Sequence, residues 1–147
     1  MNTITAIFVL CSGFCFAQQS QEIEKPIHSL FLGMKNADPE LVKSAFAENA
    51  VLQTITQDGT VKGDNIQEFI DTVSKFSKGD LDERILIEAV HTDGNLATVF
   101  TPYSFYLKGK LSHCGANSFQ LVKQNNNEWK IQYIIDTRRK ENCREIK

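Results

Sequence analysis

The sequence predicts an α+β domain in which three helices from the N-terminal half pack against one face of a curved antiparallel sheet. First, Ala97 to Lys123 and Trp129 to Arg138 hold two long segments and a shorter third one, all rich in aromatic and β-branched residues. They are joined by Lys108-Gly109-Lys110 and by Gln124-Asn125-Asn126-Asn127, and such segments with turn chemistry between them form an antiparallel meander. Second, apolar residues recur at helical spacing in three separate stretches of the N-terminal half. Third, the meander strands exceed the usual length, and long strands twist and coil until one face is concave. Helices that cover only one face of such a sheet leave a cone with a mouth. A ligand is expected in the concavity.

The chain opens with an apolar, uncharged run from Ile4 to Ala17. Cys15-Phe16-Ala17 then supplies small residues three places and one place before a cut, and the run is too short to span a bilayer. Residues 1–17 therefore read as a secretory signal peptide, although no Lys or Arg precedes the apolar run. Large side chains before Cys11 and Cys15 argue against lipidation. Cleavage after Ala17 leaves 18–147 as one domain with no transmembrane helix, exported to the periplasm or the exterior.

Ile23, Ile27, Leu30, Phe31 and Met34 mark the first helix, with Pro26 tolerated in its first turns and an end by Asn36. The second starts with Asp38 as N-cap, Pro39 at the first helical position and Glu40 in the first turn. Leu41, Val42, Ala45 and Phe46 form its buried face. Val51 to Thr56 and Thr60 to Lys62 flank Gln57-Asp58-Gly59 as a hairpin. Asp64 with Gln67 resembles a capping box for the third helix, whose stripe is Ile66, Phe69, Ile70 and Val73. Glu83 to Thr92 reads as one strand, and Asp93-Gly94 turns it into the meander.

Size and charge narrow the function classes. The chain has 147 residues and a net charge of −2, enough for one domain with a core and too balanced for a field that attracts nucleic acid or anionic membrane. The one basic cluster, Arg138-Arg139-Lys140, is diluted by Glu141 and Glu145 and reads as a solvated tail. No metal or other cofactor is implied: His28, His91 and His113 are scattered, and metal-ligand spacings, phosphate loops and nucleophile elbows are absent from the sequence. Removing the signal leaves two cysteines, Cys114 and Cys143. In an exported protein they form a disulfide that pins the C-terminal tail, and otherwise they are two thiols with Cys114 buried.

This order of elements resembles the nuclear transport factor 2-like domains, the cone-shaped fold shared with ketosteroid isomerase and SnoaL-like polyketide cyclases. The likeness runs from about Ile23 to Thr137. It rests on the Asp38-Pro39 helix start, Phe46-Ala47-Glu48-Asn49-Ala50, the Asp58-Gly59 hairpin, Gly63, and Trp129-Lys130-Ile131. Ala97 to Phe105, His113-Cys114-Gly115, Phe119 to Lys123 and Ile135-Asp136-Thr137-Arg138 are similar to the putative lumazine-binding subgroup of small bacterial proteins. The resemblance implies a pocket between sheet and helices, lumazine-like ligands and a homodimer formed through the sheet.

His113 is the first candidate for chemistry, as a base or hydrogen-bond donor beside Gly115, against the alternative of a half-exposed strand histidine. Asp136 is the second, because a carboxylate on the concave face works as a base. Ketosteroid isomerase uses a strand carboxylate in that way; the alternative is an ion pair with Arg138 or Arg84. The Lys108-Gly109-Lys110 turn sets Phe105 opposite His113 and Val99 opposite Phe119, so Tyr103, Phe105, His113, Asn117 and Phe119 share one face. With Phe31 from the first helix they form the candidate ligand-binding set, Tyr103 and Phe105 either stacking on a flat ring or serving as plain core. In the last strand Trp129, Ile131, Tyr133 and Ile135 alternate away from Asp136, which places Asp136 on the opposite face unless a bulge shifts the register. Three functions remain: an exported small-molecule-binding domain, a proton-transfer enzyme (isomerase, cyclase or dehydratase), or a dimeric interaction module whose cone is plugged by Phe31, Phe69, Phe105, Phe119 and Trp129.

Overall fold

The structure, a computed structural model, describes residues 12–146. Residues 1–11, and with them most of the expected signal segment, lie outside the described residues. Three helices, α1 (Ser12–Asn36), α2 (Pro39–Ala45) and α3 (Ile66–Val73), pack on a seven-stranded, unclosed sheet. Its strands are β1 (Phe46–Ile55), β2 (Val61–Asp64), β3 (Leu81–Ile85), β4 (Ala89–Asp93), β5 (Leu96–Leu107), β6 (Lys110–Lys123) and β7 (Trp129–Thr137). The spatial order is β2-β1-β7-β6-β5-β3, with β4 also on β5. Every pairing is antiparallel except β1 with β7, which is parallel, so the sheet is mixed where the sequence predicts an antiparallel one. The parallel pair is possible because α3 and five strands, β2 to β6, separate β1 from its partner in the chain.

The helix boundaries follow from local chemistry. Asp38 caps α2, its carboxylate accepting the Leu41 N–H at 3.0 Å, with Pro39 next in line. Phe46 leaves α2 and starts β1. Ala37 takes φ 54° after α1, and Asp38 N–H reaches back to the Gly33 carbonyl at 2.8 Å. α3 is capped by Asn65, which accepts the Glu68 N–H at 3.0 Å, and not by Asp64, which ends β2. The stretch Glu83 to Thr92 is two strands, since the chain leaves ladder geometry between Ile85 and Ala89 while both parts stay on β5.

Register decides what faces the helices. Phe105 pairs with His113 and Val99 with Phe119, as the sequence predicts. The route differs: Lys108 and Gly109, both at positive φ, make a two-residue turn, and one extra residue at Ser112 restores the register. A second bulge lies in β7. Leu121 pairs with Ile131 but Gln120 pairs with Tyr133, so Gln132 is inserted. Beyond it the inward set is Ile134 and Asp136 in place of Tyr133 and Ile135. Ile23, Ile27 and Leu30 of α1, Val42 of α2, Val73 of α3, and Val99, Phe119, Leu121 and Ile131 of the sheet form the core at the narrow end. The wide end stays open.

After Thr137 the chain continues beside β6, with Cys114 N–H and Arg139 N–H exchanging carbonyls at 2.9 and 2.8 Å. It then folds over the convex face. Ser104 donates to the Arg144 carbonyl at 2.5 Å, and Cys114 and Cys143 are joined in a disulfide.

Candidate functional site

Between α1, α3 and the concave face lies a cavity of about 250 Å³. Phe31, Phe69, Phe105 and Phe119 form part of its wall without filling it, and Trp129 packs in the core away from it. The plugged cone expected under the interaction-module hypothesis is therefore not what forms. Polar groups gather at one side: Glu83 from β3, His113 and Asn117 from β6, Asp136 and Arg138 from β7 and its extension, and Asp64 from β2. An apolar body with a few convergent polar groups is the usual make-up of a small-molecule site.

Asp136 lies inside, against the expectation from simple alternation, and the Gln132 bulge is the reason. Its Oδ1 accepts from the Thr54 hydroxyl at 2.5 Å. Its Oδ2 accepts from Arg138 Nε at 2.9 Å and from the Tyr103 hydroxyl at 3.1 Å. Arg138 also donates to Thr54 Oγ1 at 2.9 Å. Asp136 and His113 share the cavity without a hydrogen bond between them. Arg84, the other partner considered for Asp136, instead bonds Asp82 at 3.0 Å and stacks over Tyr106.

Tyr103 is buried and does not line the cavity. Its ring crosses Gly115 to reach Asp136 and the Thr137 carbonyl at 2.9 Å. Burial, reinforced by the charges of Glu83 and Asp136, pushes its phenol up, so it stays a donor at every ordinary pH. His113 is wedged between Tyr103 and Phe105, with ring centroids 5.8 and 4.9 Å away, and its Nδ1 lies 3.1 Å from the Ser112 hydroxyl. Burial and then the Arg138 charge depress its pKa, favouring the neutral imidazole. Phe31, Phe105, His113, Asn117 and Phe119 are brought together on the cavity wall. His28 and His91 lie at the surface, away from it.

Glu83 was not foreseen from the sequence, where it sits in the charged run Asp82-Glu83-Arg84. The available signal was alternation: Leu81, Glu83 and Ile85 share a face, and Leu81 and Ile85 pack on the core. Asn117 Nδ2 donates to Glu83 Oε1 at 3.0 Å and to Thr101 Oγ1 at 3.3 Å. Burial lifts the Glu83 carboxyl to about 7, with the Asn117 bond opposing the rise and the nearby Asp136 charge adding to it. Alongside Asp64 at its edge, the cavity thus holds a carboxyl lifted to about 7, a carboxylate locked into an ion pair, an imidazole held toward its neutral form and a fixed amide.

The sequence matches the family described as Putative lumazine-binding over residues 18–132. No curated protein matches the chain. Among solved structures, an NTF2-like protein of unknown function from Shewanella baltica OS155 superposes with a TM-score of 0.67 at 18% identity, over 84% of this chain and 96% of that one. A second, from Silicibacter pomeroyi DSS-3, gives 0.69 at 12% identity, over 84% and 98%. A protein from Shewanella frigidimarina NCIMB 400 described as a putative ketosteroid isomerase gives 0.60 at 13% identity, over 78% and 94%. At such identities the likeness establishes the fold.

Proposed function

Since this chain belongs to the Putative lumazine-binding family and has the nuclear transport factor 2-like fold, we propose that its cavity binds a small, flat aromatic molecule. The observation that carries the reading is the open cavity itself, aromatic and aliphatic on most of its wall and polar on one side. Phe105 and Phe119 offer ring faces and edges to such a ligand, Phe31 closes over it from α1, and His113 fixes its orientation, with Asn117 bracing the polar side of the wall. Native mass spectrometry of the protein purified from its own host tests this. A bound molecule of defined mass is expected, and its loss in Asn117→Leu assigns it to the cavity. A protein that never carries a ligand and gains no thermal stability from any flat heterocycle sinks the reading.

A second reading, proton-transfer catalysis, is favoured by Glu83. A carboxyl lifted to about 7 in an apolar cavity is matched to act as a base near neutral pH. Asp136, tied to Arg138, Thr54 and Tyr103, acts in this reading as an orienting charge. Such an enzyme would show an ascending rate limb that disappears in Glu83→Gln. Hydrogen–deuterium exchange into a bound ketone or enolisable heterocycle, read by NMR, is the check, and no exchange above buffer counts against catalysis.

Export after Ala17 is supported by the disulfide and by the family match beginning at Gln18. Among the described residues no helix is long and apolar enough to cross a membrane. N-terminal sequencing of the protein from its host should return Gln18. A homodimer through the convex face is supported by Phe100 and Val51, 41% and 46% exposed there. Light scattering should give twice the mass of the mature chain, and a monomer at micromolar concentration rejects the pairing.

A further inference from the structure

One oxygen of Glu83 has no protein partner. Oε1 accepts the Asn117 amide, while Oε2 receives no hydrogen bond among the described residues. Among the described residues no fully buried side-chain oxygen is left unsatisfied, so Oε2 is open to the cavity. Asn117 spends both amide hydrogens on Glu83 and Thr101, and so cannot donate to a ligand as well. His113 is held toward its neutral form. The charged groups facing the cavity are Glu83, Asp136 and Asp64 against Arg138 alone, and Arg138 is already paired with Asp136. The helices contribute Leu30, Phe31, Met34 and Phe69, all uncharged. The charged lining of the cavity is therefore net negative, and most of the remaining wall is apolar.

Taking the cavity as a ligand site, which is the reading above, we infer that it selects a planar cation, an amidinium or a protonated aminoheterocycle whose paired N–H groups meet the Glu83 carboxylate. A carboxylate with one oxygen free accepts one such N–H directly, and the other N–H shares Oε1 with Asn117. Charge-assisted bonds of this kind are about twice as strong as neutral ones and stronger still out of water. Binding of the cation drives Glu83 into its ionised form and releases a proton to the buffer at pH values below 7.

The test uses three probes of one shape and different charge, namely benzamidine, benzamide and benzoate, titrated by calorimetry into the whole mature protein. Benzamidine is expected to bind at least about tenfold more tightly than benzamide, and benzoate more weakly than either. Benzamidine affinity should rise from pH 5.5 to 8, with proton release shown by heats that change with the buffer's ionisation enthalpy. The groups coupled to that titration are Asp136, Arg138 and Tyr103. Glu83→Gln keeps an acceptor for Asn117 and should level benzamidine with benzamide. Asn117→Ala should move the pH midpoint upward, because the bond it removes favours the ionised form. If benzamide or benzoate binds as well as benzamidine, or Glu83→Gln leaves the ranking intact, the cavity stands as a site and the cation inference falls. If none of the three binds at millimolar concentration to folded protein, the ligand-site reading falls with it.

Discussion

Gly115 is where the absence of a side chain makes the polar wall possible. A Cβ at that position would collide with the Thr137 carbonyl and lie 2.8 Å from the Tyr103 ring. The Tyr103 hydroxyl could then no longer reach Asp136 and Thr137. Gly115→Ala is expected to destabilise by roughly 3 kcal/mol or more, read by urea denaturation, because backbone and not a flexible side-chain tip must move. Glu83 is the opposite case, a side chain tolerated at the expense of stability. Its carboxyl sits at about 7 in the folded protein and near the ordinary glutamate value when unfolded. The folded state therefore holds the proton more tightly, and stability falls as pH rises from about 4.5 to about 7. Discounted for the part of Glu83 that meets solvent, the penalty above that window is about 2 kcal/mol. Glu83→Gln should be more stable than the wild type by about that amount at pH 8, with the gap shrinking toward pH 4.5 in thermal melts. The position was hard to see in the sequence because Asp82 and Arg84 flank it, and a charged triplet reads as solvent-facing. Asp82 is indeed spoken for by Lys35 at 2.9 Å, and Arg84 stacks on Tyr106. Only the residue between them turns inward.

Among the elements, the helices and the long hairpin were legible because each carries its own local signal. Asp38-Pro39 caps α2 whatever lies beyond it, and the Phe105–His113 register follows from turn length and alternation. What could not be read was set by partners distant in sequence. The bulge at Gln132 answers an irregularity in β1: Phe46 pairs with Ile131 and Val51 with Tyr133, so four β1 residues face one in β7. Gln132 Nε2 holds that excursion by donating to the Asn49 carbonyl at 2.9 Å. The C-terminal segment depends on a covalent link as well. The cysteines are 29 residues apart, and a loop of that length closed in the unfolded chain accounts for about 3.5 kcal/mol of stability on the loop-entropy model. Cys143→Ser should lose about 3 kcal/mol in guanidinium denaturation, and reductant should bring the wild type to the same level while leaving the variant unaffected.

At the scale of the molecule, the two faces of one sheet do different work. The concave face carries both the core and the cavity, and the two share a wall: Leu30, Phe31, Met34, Phe46, Phe119 and Ile134 belong to the core and line the cavity, while the polar lining residues stand outside the core. The convex face is divided too. The tail from Cys143 to Ile146 lies over Ser104 and Cys114, while Phe100 and Val51 stay exposed elsewhere on that face. A Phe100→Glu variant is expected to keep the cavity and its ligand while a dimer of the wild type becomes monomeric, both readable in one native mass spectrum.

The single inserted residue in β7 has a consequence for reading relatives of this chain. Remove Gln132, and every position after it exchanges faces: Ile135 would look into the cone, and Asp136 would look out. The fold would stand, yet the cavity would exchange Asp136 for an isoleucine and keep only Glu83 and Asp64 as its acids. Two such proteins would align with a one-residue gap, easily dismissed as noise. In this architecture what a cavity recognises is written partly in a count of residues along one edge, so a deletion can change the ligand more than a substitution at the site itself.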